Sequence, residues 1–219
     1  MGVYFKGFLI ACKGIPTTVW VSLIAIVLGA AFGLLLALCS QSYKKFLKAI
    51  SKVYVDIVRG TPMLVQALIM AYGVPQLLQS IGVPFKWPEL VIPAIIVCGL
   101  NSAAYMCEVI RSGIQAVDKG QVEAARSLGM PKKMAMKLIV IPQAFKIILP
   151  AICNEFVTLI KETSVLGYVG VVEILRRGAL WNASSFETFP AYIGVALAYM
   201  LLTIPLSKII GHYEKKMKG

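Results

Sequence analysis

The stretch VEAARSLGMPKKM, residues 122–134, decides how this chain folds. It is polar and helix-prone, carries Arg126, Lys132 and Lys133, and stands between long apolar runs. A small charged helix in that setting faces lipid headgroups, water or another protein, and the rest of the sequence narrows the choice.

The chain has 219 residues, 58% of them apolar, with a mean hydropathy of +0.79. That apolar fraction exceeds what a soluble domain of this length uses for its core, so lipid is the solvent for much of the surface. The net charge of +12 is not a nucleic-acid footprint, because the basic residues sit in short clusters between apolar runs. The five cysteines (Cys12, Cys39, Cys98, Cys107, Cys153) are scattered without metal spacing and read as small buried hydrophobes. The single histidine, His212, lies in a basic tail, which argues against a metal or catalytic site. The first apolar run is too long for a signal-peptide core and lacks a cleavage site.

About 20 apolar residues cross a bilayer as a helix. Segments 15–38, 53–78, 90–114, 138–160 and 189–210 meet that length, giving an all-α integral membrane domain with five transmembrane helices. Pro62, Pro142 and Pro150 fall inside these runs without vetoing them, because neighbouring helices re-satisfy freed backbone groups. Thr61-Pro62 is expected to bend the second span. The basic clusters Lys44 to Arg59, Arg111 to Lys137 and Lys208 to Lys218 then place the C-terminus in the cytoplasm and the N-terminus outside.

The opening stretch is therefore cytoplasmic. A helix is expected over 118–130, with Gln121–Leu128 its best helix material and Gly129 and Pro131 ending it. Its apolar face is Ala124, Ala125 and Leu128, flanked by Glu123 and Arg126. Lipid-surface helices carry larger apolar residues there, whereas alanines permit close approach to a protein groove; a solvated connector is the competing reading.

Glu123-Ala124-Ala125, Gly129, Ile139 and Pro142 resemble the "EAA…G…I.P" signature of permease subunits of bacterial ABC importers. RGTPMLVQ (59–66), NSAAYMCEVIRSGI (101–114) and LPAICNEFVTLIKETS (149–164) resemble the polar amino-acid branch of that family. The resemblance covers nearly the whole chain. It implies a type I ABC importer permease fold in a bacterial cytoplasmic membrane, in which residues 118–130 form a cytoplasmic coupling helix. Glu123, Ala124, Ala125 and Gly129 would then contact a separate ATPase subunit. The chain has no G-x-x-x-x-G-K-[ST] phosphate loop, so it needs no cofactor of its own, and ATP and Mg would sit on the partner. A second permease copy or paralogue and an extracytoplasmic solute-binding protein complete the implied assembly, with no role for nucleic acid.

Polar side chains at membrane depth usually face an interior or aqueous path. Asn101, Tyr105 and Glu108 share one helical face, with Ser102 beside Asn101. Glu155, Thr158 and Glu162 share another, overlapped by Asn154 and Lys161. Asn101, Ser102 and Tyr105 can hydrogen-bond a carboxylate or amide, and Glu155 can pair with an ammonium or guanidinium. Thr158 and Gln66 are further candidates for substrate contact. Interhelical packing is the alternative for all six. Glu108 is placed to pair with Arg111 or Arg59, and Arg176 and Arg177 are candidates for an outer docking surface. A self-contained ion-coupled transporter and a non-transporting membrane scaffold are the rival functions; the first calls for inverted repeats, which the sequence lacks.

Overall fold

The computed structural model describes residues 2–218, with side chains through Lys216; Lys218, counted above as a topogenic charge, lies beyond the described side chains. The described residues form helices without strands: α1 Gly2–Cys12, α2 Ile15–Ser40, α3 Lys45–Arg59, α4 Met63–Ser80, α5 Val91–Gln115, α6 Lys119–Ser127, α7 Lys132–Val169, α8 Ile174–Ser185 and α9 Thr188–Lys218. Four stretches are long and apolar enough to cross a membrane, Gly2–Ser40, Val91–Gln115, Lys132–Val169 and Thr188–Lys216, and α3 with α4 makes a fifth if counted as one broken span.

The second span corrects the sequence reading. Residues 53–78 are not one bent helix: α3 and α4 meet at 101°. Gly60, Thr61 and Pro62 end α3, since Pro62 supplies no N–H and disfavours helical backbone at Thr61. The carbonyls freed by the break are taken up locally. Thr61 Oγ1 donates to Ile57 O at 2.9 Å, and Gln66 Nε2 donates to Val58 O at 2.8 Å. A turn this sharp survives at membrane depth because those groups are satisfied.

Two further prolines act more gently. Pro75 and Pro142 each follow a five-residue π turn, Ile69–Gly73 and Met136–Val140. In each, the residue before the proline bonds five residues back, Val74 N to Ile69 O and Ile141 N to Met136 O. The widened turn makes room for the ring. Trp87 Nε1 donates to Met70 O at 2.9 Å, capping a carbonyl that Pro75 cannot reach. The fourth span consequently runs well past 138–160, from Lys132 to a 3-10 turn at Thr163–Val169.

The centre is α2 against α5, joined through small residues. A Cβ on Gly29 would lie 2.6 Å from Ser102 Oγ, and one on Gly33 would collide with Met106. Close backbone approach of this kind is how helices associate in lipid, where the hydrophobic effect offers nothing. Cys98 and Cys107 are buried in this core, as expected. Helix α1, which precedes the first span expected from the sequence, packs on α9: a Cβ on Gly194 would lie 2.5 Å from the carbonyl carbon of Gly7.

Candidate functional site

Helix α6 has its ends written into the sequence. Asp118 Oδ1 accepts from Gly120 N at 2.8 Å and caps its start. Gly129, at φ +81°, lets Met130 N return to Ala125 O at 3.1 Å and closes its end. Ala125 is turned inward and only 3% exposed, whereas Leu128 is 86% exposed. The face open to a partner is thus Glu123, Ala124 and Leu128, with Gly129 at its exit, and Ala125 lies on the side turned to the chain itself. Between α6, the end of α5 and the π turn of α7 lies a cavity of about 650 Å³, lined by Ile114, Val117, Val122, Glu123, Met136 and Val140.

A second cluster forms at mid-length of α5, beside the α3–α4 break. Asn101, 4% exposed, donates Nδ2 to Gln66 Oε1 at 3.1 Å. Gln66 therefore holds both the break and α5. Two turns further along α5, Glu108 accepts from Arg111 NH2 and Nε at 2.7 and 3.1 Å, and Arg59 NH1 stands 3.9 Å from the same carboxylate. The Arg59 guanidinium also lies 5.3 Å from the centre of the Tyr105 ring, a cation–π contact. Gln66, Asn101, Tyr105 and Glu108 thus make one polar column facing the break.

Ser102 is not part of it. Its hydroxyl is fully buried against Gly29 and has no hydrogen-bond partner among the described residues. The reason is angular: adjacent helical residues point about 100° apart, so a side chain next to Asn101 faces α2 instead.

Glu155 and Thr158 lie on α7, partly exposed and without a hydrogen bond or ion pair among the described residues. The antiparallel register of α5 and α7 is set by Gly113 against Ile148 and by Cys98 clustering with Leu159. That register brings Glu155 and Thr158 to the depth of Asn101 and Tyr105.

At the opposite end of the bundle sits a residue the sequence reading passed over. Glu173 is 1% exposed, caps α8 by accepting from Leu175 N at 2.7 Å and Arg176 N at 2.6 Å, and accepts the Tyr199 hydroxyl of α9 at 2.7 Å. Burial raises its pKa, against the pull of the Tyr199 hydroxyl and the two amides. An acid directly before a helix was the available signal; the tyrosine 26 residues on could not be foreseen. Arg176 is half-buried and Arg177 exposed on α8.

Residues 29–219 match the family model of the binding-protein-dependent transport system inner membrane component. The chain belongs to that family. A putative glutamine transport system permease protein, GlnP, of Rickettsia prowazekii is 37% identical to this inner-membrane component over 98% of this chain and 95% of that protein. The arginine transport system permease protein ArtQ of Bacillus subtilis is 36% identical over 94% and 92%. A crystal structure of an amino acid ABC transporter with histidines superposes with a TM-score of 0.87 at 36% identity, covering 97% of this chain and 95% of that one. The MetNI methionine ABC transporter, in an inward-facing form, matches at a TM-score of 0.66 and 15% identity, a likeness of fold alone. The inner-membrane component has the all-helical permease fold of ABC importers that the EAA-type motif implied.

Proposed function

We propose that this chain is the membrane-spanning subunit of an ATP-driven importer that carries polar or charged amino acids into the cytoplasm. The observation that carries the reading is the polar column at mid-depth of α5, level with Glu155, in a chain whose relatives bear amino-acid permease names. Asn101 and Tyr105 offer hydrogen bonds to a substrate carboxylate or amide; Glu155 and Thr158, uncommitted among the described residues, complement them from α7. Gln66 reaches the same place through Asn101, whereas Ser102 is turned away into the α2 interface.

Energy enters from outside the chain. Helix α6 docks through Glu123, Ala124 and Gly129 on an ATPase subunit that binds ATP and Mg, with Ala125 seating the helix on its own bundle. Closure of two ATPase subunits then moves the spans as rigid bodies. A second permease copy completes the path across a two-fold axis, and a solute-binding protein docks outside, near α8. The basic loops favour an orientation with α6 and the C-terminus in the cytoplasm and α1 outside.

Uptake into vesicles containing this chain, its ATPase subunit and its solute-binding protein, with competition across the twenty amino acids, tests the reading. ATP-dependent uptake blocked by a polar or charged subset supports it. Uptake by the chain alone under an ion gradient without ATP refutes it.

A further inference from the structure

Helix α3 carries three distinct faces. Ser51 and Val55 are buried: Ser51 Oγ donates to Leu36 O at 2.8 Å, and the Tyr54 hydroxyl, from the same side, reaches Leu100 O at 2.7 Å. A second face, Phe46, Ile50, Val53 and Ile57, repeats at helical spacing and is 47–74% exposed. The third is Lys45, Lys48 and Lys52, all exposed and without an ion pair among the described residues, with Asp56 the one acid of the helix.

The contacts of α3 along α5 do not advance. Ser51 lies 3.7 Å from Cys107 Sγ, and Arg59, two turns on, still meets Tyr105 and Glu108. With the 101° angle to α4, this lays α3 across the bundle rather than along it. Tyr54 reaches toward the membrane centre at Leu100, so the lysine face, on the far side of the helix from Tyr54, turns toward the bilayer surface.

We infer that α3 is an in-plane anchor at the cytoplasmic leaflet, its Phe46–Ile57 stripe in the acyl chains and its lysines on anionic phospholipid headgroups. The leaflet assignment rests on the orientation proposed above; the in-plane placement does not. Amphipathic helices bind lipid surfaces in this way, with lysine stems reaching outward from the apolar boundary. A second copy of the chain is a poorer occupant. The stripe has none of the small residues that join α2 to α5, and a two-fold contact there would bring like lysine faces together.

The test places a spin label at positions 46, 50, 53 and 57 in turn, in the full transporter with its native cysteines replaced by alanine. The protein is reconstituted in phosphatidylcholine vesicles with and without phosphatidylglycerol. Expected are high oxygen accessibility and one common depth at all four positions. Depth changing by about 16 Å from 46 to 57, at 1.5 Å per residue, would make α3 a spanning segment and overturn the inference. So would labels reached by neither oxygen nor a nickel chelate, the mark of a covering protein surface. Lys45→Gln, Lys48→Gln and Lys52→Gln together should lower the preference for spin-labelled phosphatidylglycerol over phosphatidylcholine by at least about fivefold, the effect of one lysine near a charged surface; an unchanged preference removes the lipid contact. A cysteine at 48 should react with an impermeant maleimide from the cytoplasmic side only. Reaction from outside refutes the orientation and the leaflet while leaving the in-plane depth result standing.

Discussion

Asn101 and Gln66, 3.1 Å apart, join the middle of α5 to the first turn after the 101° break between α3 and α4. Because Gln66 also serves Val58 O and the Thr61 hydroxyl, one side chain holds a helix end, a turn and a neighbouring helix. Gln66→Leu leaves these groups unpaired and should cost about 1–3 kcal/mol. Asn101→Ala and Gln66→Leu combined should cost less than the sum of the two. Thermal unfolding in detergent, run as a double-mutant cycle, measures the coupling, and strict additivity would refute it.

If Glu155 meets substrate, its charge matters selectively. Glu155→Gln should lower uptake of a cationic amino acid on the order of tenfold or more, the loss of one charge-assisted hydrogen bond. Neutral amino acids should change little. Equal loss of both in competition uptake would make the carboxylate structural.

Helix α6 can be altered without disturbing the bundle, since a Cβ at Gly129 meets nothing within 4 Å. Its φ of +81° alone makes Gly129→Ala cost about 1 kcal/mol, by displacing the end of α6. Gly129→Asp and Glu123→Lys should leave the permease folded and uncouple transport from ATP hydrolysis. Substrate-stimulated uptake at the unmodified rate in reconstituted vesicles would exclude that role.

Glu173 gives a pH prediction with a defined sign. Its folded pKa lies above the unfolded one because burial dominates. The stabilisation is therefore complete below the unfolded pKa and declines as pH rises through the folded value. Glu173→Gln removes the titration and should flatten the stability profile above pH ~4.5, at a cost of about 1–2 kcal/mol because its amide nitrogen cannot accept where one carboxylate oxygen did. Glu173→Ala strands the Tyr199 hydroxyl and two helix amides and should cost about 2–4 kcal/mol. Melting temperatures from pH 4 to 8 (approximately, around the carboxylate range) distinguish the two.

Much of this fold was legible in advance. Segments 90–114 and 189–210 fall almost on α5 and within α9, because runs of apolar residues near 20 have few alternatives in lipid. The bend at Thr61-Pro62 was legible too, but not its size. A right-angled turn needs acceptors for the freed carbonyls, and Gln66 declares that role only once the chain has folded back. Residues 53–59 read as span because Val53 and Ile57 are apolar; the lysines one face away make α3 amphipathic. In the polar column, the helical spacing of Asn101, Tyr105 and Glu108 put on one face of α5 the residues that meet Gln66 and Arg59 beside the break. Ser102 and Ala125 show the limit of adjacency in sequence: Ser102 sits beside Asn101 of the column and Ala125 beside the exposed Ala124, yet each points elsewhere.

The meeting of Gly7 with Gly194 makes the molecule a closed loop of matter as well as an open string. There is no room at that seam for a single added methyl. Since α9 follows α1 in the chain, α1 stays undocked during synthesis until α9 has been made, and a bulkier residue at either glycine would hold that clasp open.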